Sequence, residues 1–113
     1  MIRAEFFGGR PPEGFRISGH SGSAPAGEDL VCAAVTSAVR LTEAHVNDVL
    51  KARARVEIDE KTAAISLFLP DHAPEGARKA LEALRIYLRE LSRENPKYLT
   101  LREHDSTEEE TTC

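Results

Sequence analysis

The sequence predicts an α+β fold in which one domain contains a single mixed sheet with two helices packed on one face. Three observations support this class. The length of 113 residues allows one hydrophobic core and little more. Short segments with an apolar residue at every second position indicate strands, and two longer segments with apolar spacings of three and four indicate helices. The predicted order is strand, strand, helix, strand, strand, helix, strand.

The first two strands are expected to form a hairpin. Residues 2–7 and 15–18 alternate between apolar and polar side chains, and residues 8–14 between them are rich in Gly and Pro. Residues 19–27 are small and include three glycines, so nothing in them anchors a core. We therefore expect a mobile loop after the hairpin.

A long helix is predicted from about residue 29 to residue 52. Asp29 belongs to the residue types that cap helix N-termini, and Glu28 adds negative charge at the positive end of the helix dipole. Residues 30–35 are almost wholly apolar, which predicts burial of the first turns on most sides.

The second half of the chain repeats the strand-strand-helix pattern. Residues 53–58 and 63–69 alternate and are joined by a polar turn, which indicates a second hairpin. The helix predicted over residues 74–94 has the strongest periodicity in the chain, carried by Ala77, Leu81, Leu84, Leu88 and Leu91. Pro96 ends it, and residues 98–102 form the last expected strand. Residues 1–104 are thus the predicted domain, and residues 105–113 are a predicted disordered tail.

The composition argues against several classes of partner. The net charge is −4, but four of the 19 acidic residues lie in the tail, and the remaining 15 balance the 15 lysines and arginines. A phosphate-binding surface usually needs a basic surplus, so we expect no direct nucleic-acid partner. No apolar run approaches the roughly 18 residues of a membrane span, and no secretory signal is visible at the start. The expected compartment is the cytoplasm.

Two cysteines, Cys32 and Cys113, are too few for a disulfide framework and lack the spacing of a structural zinc site. We therefore predict a reduced thiol at Cys32, and neither a metal nor a cofactor. The histidines His45, His72 and His104 are predicted to be solvated surface residues, since none lies near another ligand at metal spacing.

Residues 19–35 contain the groups that could perform chemistry. His20 lies at the end of a strand and Cys32 in the expected opening turn of a helix. A helix N-terminus favours thiolate and can lower a cysteine pKa to about 3.5–7.5, and a nearby imidazole can act as its general base. The residue types alone favour a plainer interpretation: Cys32 as a small buried residue, His20 as structural or solvated, Asp29 as a helix cap, and the glycines as turn residues.

The segment Gly19-His20, followed by Gly27-Glu28-Asp29-Leu30-Val31-Cys32-Ala33-Ala34-Val35-Thr36, resembles the signature of the ribosomal-processing cysteine protease (Prp) family. The similarity covers nearly the whole chain. Ser21 and Thr36 depart from the usual Ala and Ser of that signature, and both changes are small.

The resemblance implies a cysteine endopeptidase that removes the N-terminal extension of a bacterial large-subunit ribosomal protein, and it implies a homodimer. Cys32 would be the nucleophile, acting through a thioester acyl-enzyme, and His20 its general base and acid. The residues expected to bind substrate or to belong to the loop that orders on it are Gly19, Ser21, Gly22, Gly27 and Asp29.

Two other functions remain open at the level of sequence. The same fold could serve as a ribosome-associated binding module without proteolysis. A thiol redox protein is the second alternative, but it lacks a Cys-x-x-Cys pair, and its resolving thiol would have to be Cys113 at the end of the tail.

Overall fold

The computed structural model describes residues 1–19 and 26–106, with side chains described for all of these except 26–28. Five strands form one sheet: β1 (Ile2–Phe7), β2 (Gly14–Ser18), β3 (Arg55–Asp59), β4 (Ala64–Phe68) and β5 (Leu99–His104). The helices are α1 (Ala26–Glu43), which continues as a π-helical turn (Ala44–Val49), and α2 (Ala77–Glu94). The predicted order of elements and the α+β class are confirmed.

The sheet has the order β3-β4-β2-β1-β5. Its neighbouring strands are antiparallel except for β1 and β5, which run parallel with Ile2 opposite Leu99. The sheet is therefore mixed, as predicted. The last strand returns to the edge of the first because α2 carries the chain back across the sheet before β5 begins.

One core lies between the sheet and the two helices. Alternate strand residues point into it, including Ala4, Phe6, Phe15, Ile17 and Leu67, all buried. The helices contribute Val31, Val35 and Val39 from α1 and Leu81, Leu84 and Leu88 from α2. These positions are three and four residues apart, so each helix presents one apolar stripe to the sheet.

The first helix differs from its prediction at both ends. It begins at Ala26, three residues before Asp29, so the prediction of Asp29 as the N-cap is wrong. Its π-helical turn ends at Val49 rather than at residue 52. Leu30 is 74% exposed, so the prediction that the first turns are buried on most sides is also wrong. The helix packs through a single stripe, and its opposite side faces away from the sheet.

The second helix begins at Ala77 rather than at residue 74, after Gly76 with a φ of 94°. Its attachment to β5 includes a cluster of charges around Glu103. The Glu103 carboxylate accepts hydrogen bonds from Arg10, at 2.7 and 3.0 Å, and from Arg89. The buried Arg85 lies 3.5 Å from the same carboxylate and also makes two hydrogen bonds to Glu82.

Among the described residues, neither helix combines the length and the hydropathy that a membrane span requires.

Candidate active site

Cys32 lies in the second turn of α1, half-buried against the edge of the core. It is one turn before Val35 on the stripe that packs against the sheet. The Cα–Cβ bonds of a helix tilt toward its N-terminus, so the thiol leans toward the first turn. The side chain is thus supported by the core on one side while part of it stays accessible.

The earlier start of α1 changes the electrostatics of this thiol. Cys32 is the seventh helical residue rather than a member of the opening turn. The favourable effect of the helix dipole on an anion falls off within the first turn. A thiolate at Cys32 would therefore depend more on a general base than the sequence suggested.

Gly19 follows the last residue of β2 and has a φ of +96°, a conformation that residues with a side chain rarely adopt. A Cβ at this position would overlap the carbonyl oxygen of Met1. Gly19 therefore has a steric role, because only glycine lets the chain leave β2 this close to the start of β1. This role was missed in the sequence because it depends on a contact between distant segments.

The remaining predicted site residues divide into two groups. Asp29 is exposed in the first turn of α1, where its charge still complements the helix dipole, and Gly27 is the second residue of the same helix. His20, Ser21 and Gly22 lie outside the described residues. The pairing of Cys32 with His20 therefore stays a prediction. The disordered tail also stays a prediction, because residues 107–113 lie outside the described residues.

The other histidines are placed as follows. His45 and His72 are exposed, as predicted. His104 is half-buried: its Nε2 lies 3.0 Å from the carboxylate of Glu5, and its ring stacks on Phe7 with 4.7 Å between centroids. The prediction of a solvated His104 is wrong because β5 extends beyond residue 102 and places His104 opposite Phe7 in the sheet.

Across residues 1–19 and 26–106, no group of three or more His, Cys, Asp or Glu side chains is arranged to hold a metal ion.

Comparison with known proteins identifies the class of protein to which this fold belongs. The family model described as "Cysteine protease Prp" matches residues 1–100, a range that includes Gly19, His20 and Cys32. A half-buried cysteine on the first helix of this α+β fold is thus part of a cysteine protease.

The chain belongs to the Prp family, as the signature around Cys32 indicated, and it is a peptide hydrolase. A comparison with curated proteins finds no significant match.

Solved structures share the fold over nearly the whole chain. SMU.848 from Streptococcus mutans superposes with a TM-score of 0.83 at 23% identity, covering 92% of this chain and 94% of that one. The ribosomal processing protease Prp from S. aureus, in complex with a substrate peptide, gives a TM-score of 0.80 at 15% identity and covers 91% and 99%. The same protease with a covalently linked product peptide gives 0.77 at 16% identity with the same coverage.

Proposed function

We propose that this chain is a cytoplasmic endopeptidase that removes the N-terminal extension of a large-subunit ribosomal-protein precursor. The family match over residues 1–100 carries this proposal, since it spans both groups of the proposed Cys32–His20 dyad. The S. aureus Prp protease supports it further, because that enzyme is described as a ribosomal processing protease and binds a substrate peptide.

In the proposed mechanism, the Sγ of Cys32 attacks the carbonyl carbon of the scissile peptide bond while His20 accepts the thiol proton. The resulting oxyanion collapses, the C–N bond breaks, and His20 returns the proton to the leaving amine. The shortened protein leaves with its new N-terminal amine, and a thioester joins Cys32 to the extension, which is released as a carboxylic acid on hydrolysis. Water, deprotonated by His20, hydrolyses the thioester and regenerates the thiol. The S. aureus protease with a covalently linked product peptide supports such an intermediate.

Backbone N–H groups are the proposed stabilisers of the oxyanion. The first four N–H groups of a helix have no carbonyl partner within that helix. In α1 these belong to residues 26–29, the turn toward which the Cys32 side chain leans. Donors of this kind, aimed at a developing negative charge, typically contribute about 100-fold to 1,000-fold in rate.

Mass spectrometry of an extended ribosomal precursor, incubated with the protein, tests this function. We expect Cys32→Ala and His20→Ala each to reduce the rate of cleavage by at least about 1,000-fold, because each removes one reacting group. Deletion of residues 107–113, including Cys113, serves as the control and should leave the rate unchanged. Cleavage at the wild-type rate by both substituted proteins would overturn the proposal.

The alternative functions predict different outcomes for substitution of Cys32 and for deletion of the tail. A binding module without proteolysis predicts that Cys32→Ser leaves the cellular role of the protein intact. A redox protein that depends on Cys113 predicts loss of function on deletion of residues 107–113. The proposed protease predicts the reverse of both outcomes.

A homodimer is also proposed. The side of α1 that faces away from the core carries Leu30 and Leu41, which are 74% and 72% exposed. These leucines lie about three helical turns apart, and Ala34 and Ser37 between them fall on the same line of the helix. A row of two large and two small side chains suits close packing against a second copy.

A further inference from the structure

A cleft of about 770 Å³ runs beside α1, and nothing in the proposed mechanism uses it. One wall is formed by the later turns of α1 and the π-helical turn, and the other by the tip of the β3–β4 hairpin. Pockets that bind small molecules and cofactors typically have volumes of about 300–1,000 Å³. The cleft is thus large enough to receive several side chains of a bound segment.

The cleft lies on the same side of α1 as Cys32. Thr36 and Arg40 line it and follow Cys32 at intervals of four residues, so the three side chains lie on one side of the helix. At 1.5 Å per residue, Arg40 lies about 12 Å along the axis from Cys32, and Asp48 about 24 Å. An extended peptide spans about 3.3 Å per residue. A chain held at Cys32 therefore reaches Arg40 with roughly four residues and Asp48 with roughly seven.

The far wall of the cleft has an apolar contact surface. Ile58, near the end of β3, lines the cleft and is 71% exposed. Its neighbour in the sheet, Ile65 of β4, is half-buried at the edge of the core. Ile58 thus extends the apolar face of the sheet into the cleft, where a side chain of a bound peptide can cover it.

The charge of the cleft is strongly one-sided. Four carboxylates, those of Glu43, Asp48, Asp59 and Glu60, line it against the single cation Arg40. Within residues 1–19 and 26–106, the ion pairs involve none of these five side chains. The cleft therefore carries an uncompensated negative charge that attracts a basic segment.

We propose that this cleft binds the part of the substrate chain next to the scissile bond and selects a basic segment with an apolar residue. The inference rests on the proposed function and deepens it. Proteins that bind ribosomal RNA neutralise phosphates with Lys and Arg, so a ribosomal precursor is a basic polypeptide. Its charge complements the carboxylates, and the apolar side chain covers Ile58.

Steady-state cleavage kinetics test this assignment. The substrate is a peptide of 20 residues spanning the processing site of the ribosomal precursor, compared with a version in which each Lys and Arg within seven residues of the cut is replaced by Gln. The variant Asp48→Lys/Glu60→Lys reverses two charges of the cleft. Glu90→Lys/Glu94→Lys on exposed positions of α2 makes the same charge change outside it.

For the cleft variant we expect KM on the basic peptide to rise about tenfold with kcat within a factor of two, because exposed ion pairs are individually weak but add when several are reversed. The α2 control should keep the wild-type KM. Ile58→Ser should raise KM for both peptides. Raising the salt concentration should weaken wild-type binding of the basic peptide but leave the neutral peptide nearly unaffected. An unchanged KM in both cleft variants would overturn the inference.

Direct binding separates this inference from the proposed function. Fluorescence anisotropy with the labelled basic peptide and the Cys32→Ala protein reports Kd without any cleavage. If the wild-type protein does not cut but the Kd rises about tenfold on cleft charge reversal, the proposed function fails while the cleft assignment stands. If the wild-type protein cuts and neither Kd nor KM responds to the cleft variants, the cleft assignment fails alone.

Discussion

At the residue scale, the carboxylate of Glu103 has the most crowded electrostatic environment that the structure describes. Its hydrogen bonds with Arg10, the charge of Arg85 and a hydrogen bond from Arg89 hold the pKa of Glu103 below its usual value of 4.5. The hydrogen bonds from Arg85 likewise lower the pKa of Glu82. Both carboxylates therefore favour the charged state more in the folded protein than in the unfolded chain.

This difference predicts a loss of stability in acid. Because the folded pKa values are depressed, the unfolded chain binds more protons, and stability falls as pH drops from about 4.5 through the folded pKa values. The free energy of unfolding, measured with urea at pH 7 and again below pH 4.5, gives the size of this loss. Glu103→Gln should cost about 2–3 kcal/mol at pH 7, since Arg85 is then left buried with less compensation, and its stability should depend less on acid pH.

The control is Glu57→Gln, which breaks an exposed 3.2 Å pair with Arg55 and should cost less than about 1 kcal/mol. If both variants lose the same free energy of unfolding, Glu103 stabilises the fold no more than an exposed ion pair does.

Gly19 gives a second prediction at this scale. Gly19→Ala should destabilise the protein by more than the roughly 1–2 kcal/mol of a positive φ alone, because its Cβ also overlaps Met1. Gly9→Ala is the matched control: its φ is +89°, but no atom lies within 4 Å of the added Cβ. Thermal unfolding of both variants gives the difference, and a loss for Gly9→Ala equal to that for Gly19→Ala would show that the contact with Met1 costs nothing.

At the scale of elements, the end of the first helix is held by Asn47 in the π-helical turn. Its Oδ1 accepts a hydrogen bond from the N–H of Ala54 at 2.8 Å, and its Nδ2 donates to the carbonyl of Ala54 at 3.2 Å. The segment between them contains Lys51 and Arg53, both with a φ of 57°. The side-chain amide thus replaces a strand partner for Ala54 and fixes how the chain enters β3.

Substitution of Asn47 should loosen this connection. We expect Asn47→Ala to lower the free energy of unfolding by about 1–3 kcal/mol, since the amide and carbonyl of Ala54 lose their partner. Asn47→Asp should cost at least as much at neutral pH, because the carboxylate then faces a carbonyl oxygen. Denaturant unfolding measures both, and His45→Gln at an exposed position of the same turn is the control. If Asn47→Asp is as stable as the wild-type protein, the two hydrogen bonds between Asn47 and Ala54 do not stabilise this connection.

The elements differ in how far the sequence could predict them. The second helix was found from the spacing of Leu81, Leu84 and Leu88, because a helix that packs on one side must repeat its apolar residues with the helical period. The start of α1 was missed because Gly27 was taken as part of a loop. Pro25 just before it was the available signal, since proline is common at helix N-termini. No spacing of apolar residues marks the π-helical turn, because it depends on the side-chain hydrogen bonds of Asn47 to Ala54.

The sequence also predicted only part of the candidate site. Cys32 stood out because its neighbours match a family signature, and the match over residues 1–100 confirms that family. The contact of Gly19 with Met1 and the cleft beside Arg40 and Ile58 join segments far apart in the chain. Such features follow from the packing of elements, and no spacing within one element encodes them.

At the scale of the whole molecule, the exposed leucines of α1 predict the state of association. If Leu30 and Leu41 pack against a second copy, Leu30→Glu/Leu41→Glu should convert a dimer into a monomer, because two charges would be buried at the interface. Sedimentation velocity at micromolar concentration measures this. Ile86→Glu on α2, at another half-exposed apolar position, should keep the dimer. A monomeric wild-type protein, or a dimer that survives the double substitution, would contradict the proposed association.

The parallel pairing of β1 with β5 also governs how the protein is made. Ile2 meets Leu99 across the sheet, so β1 lacks its second neighbour until the chain has been synthesised past both helices. During translation the amides and carbonyls on that flank of β1 stay open to any other extended polypeptide. Synthesis that stops short of residue 99 thus yields an aggregation-prone fragment. A protease built this way completes its sheet only after its second helix has left the ribosome.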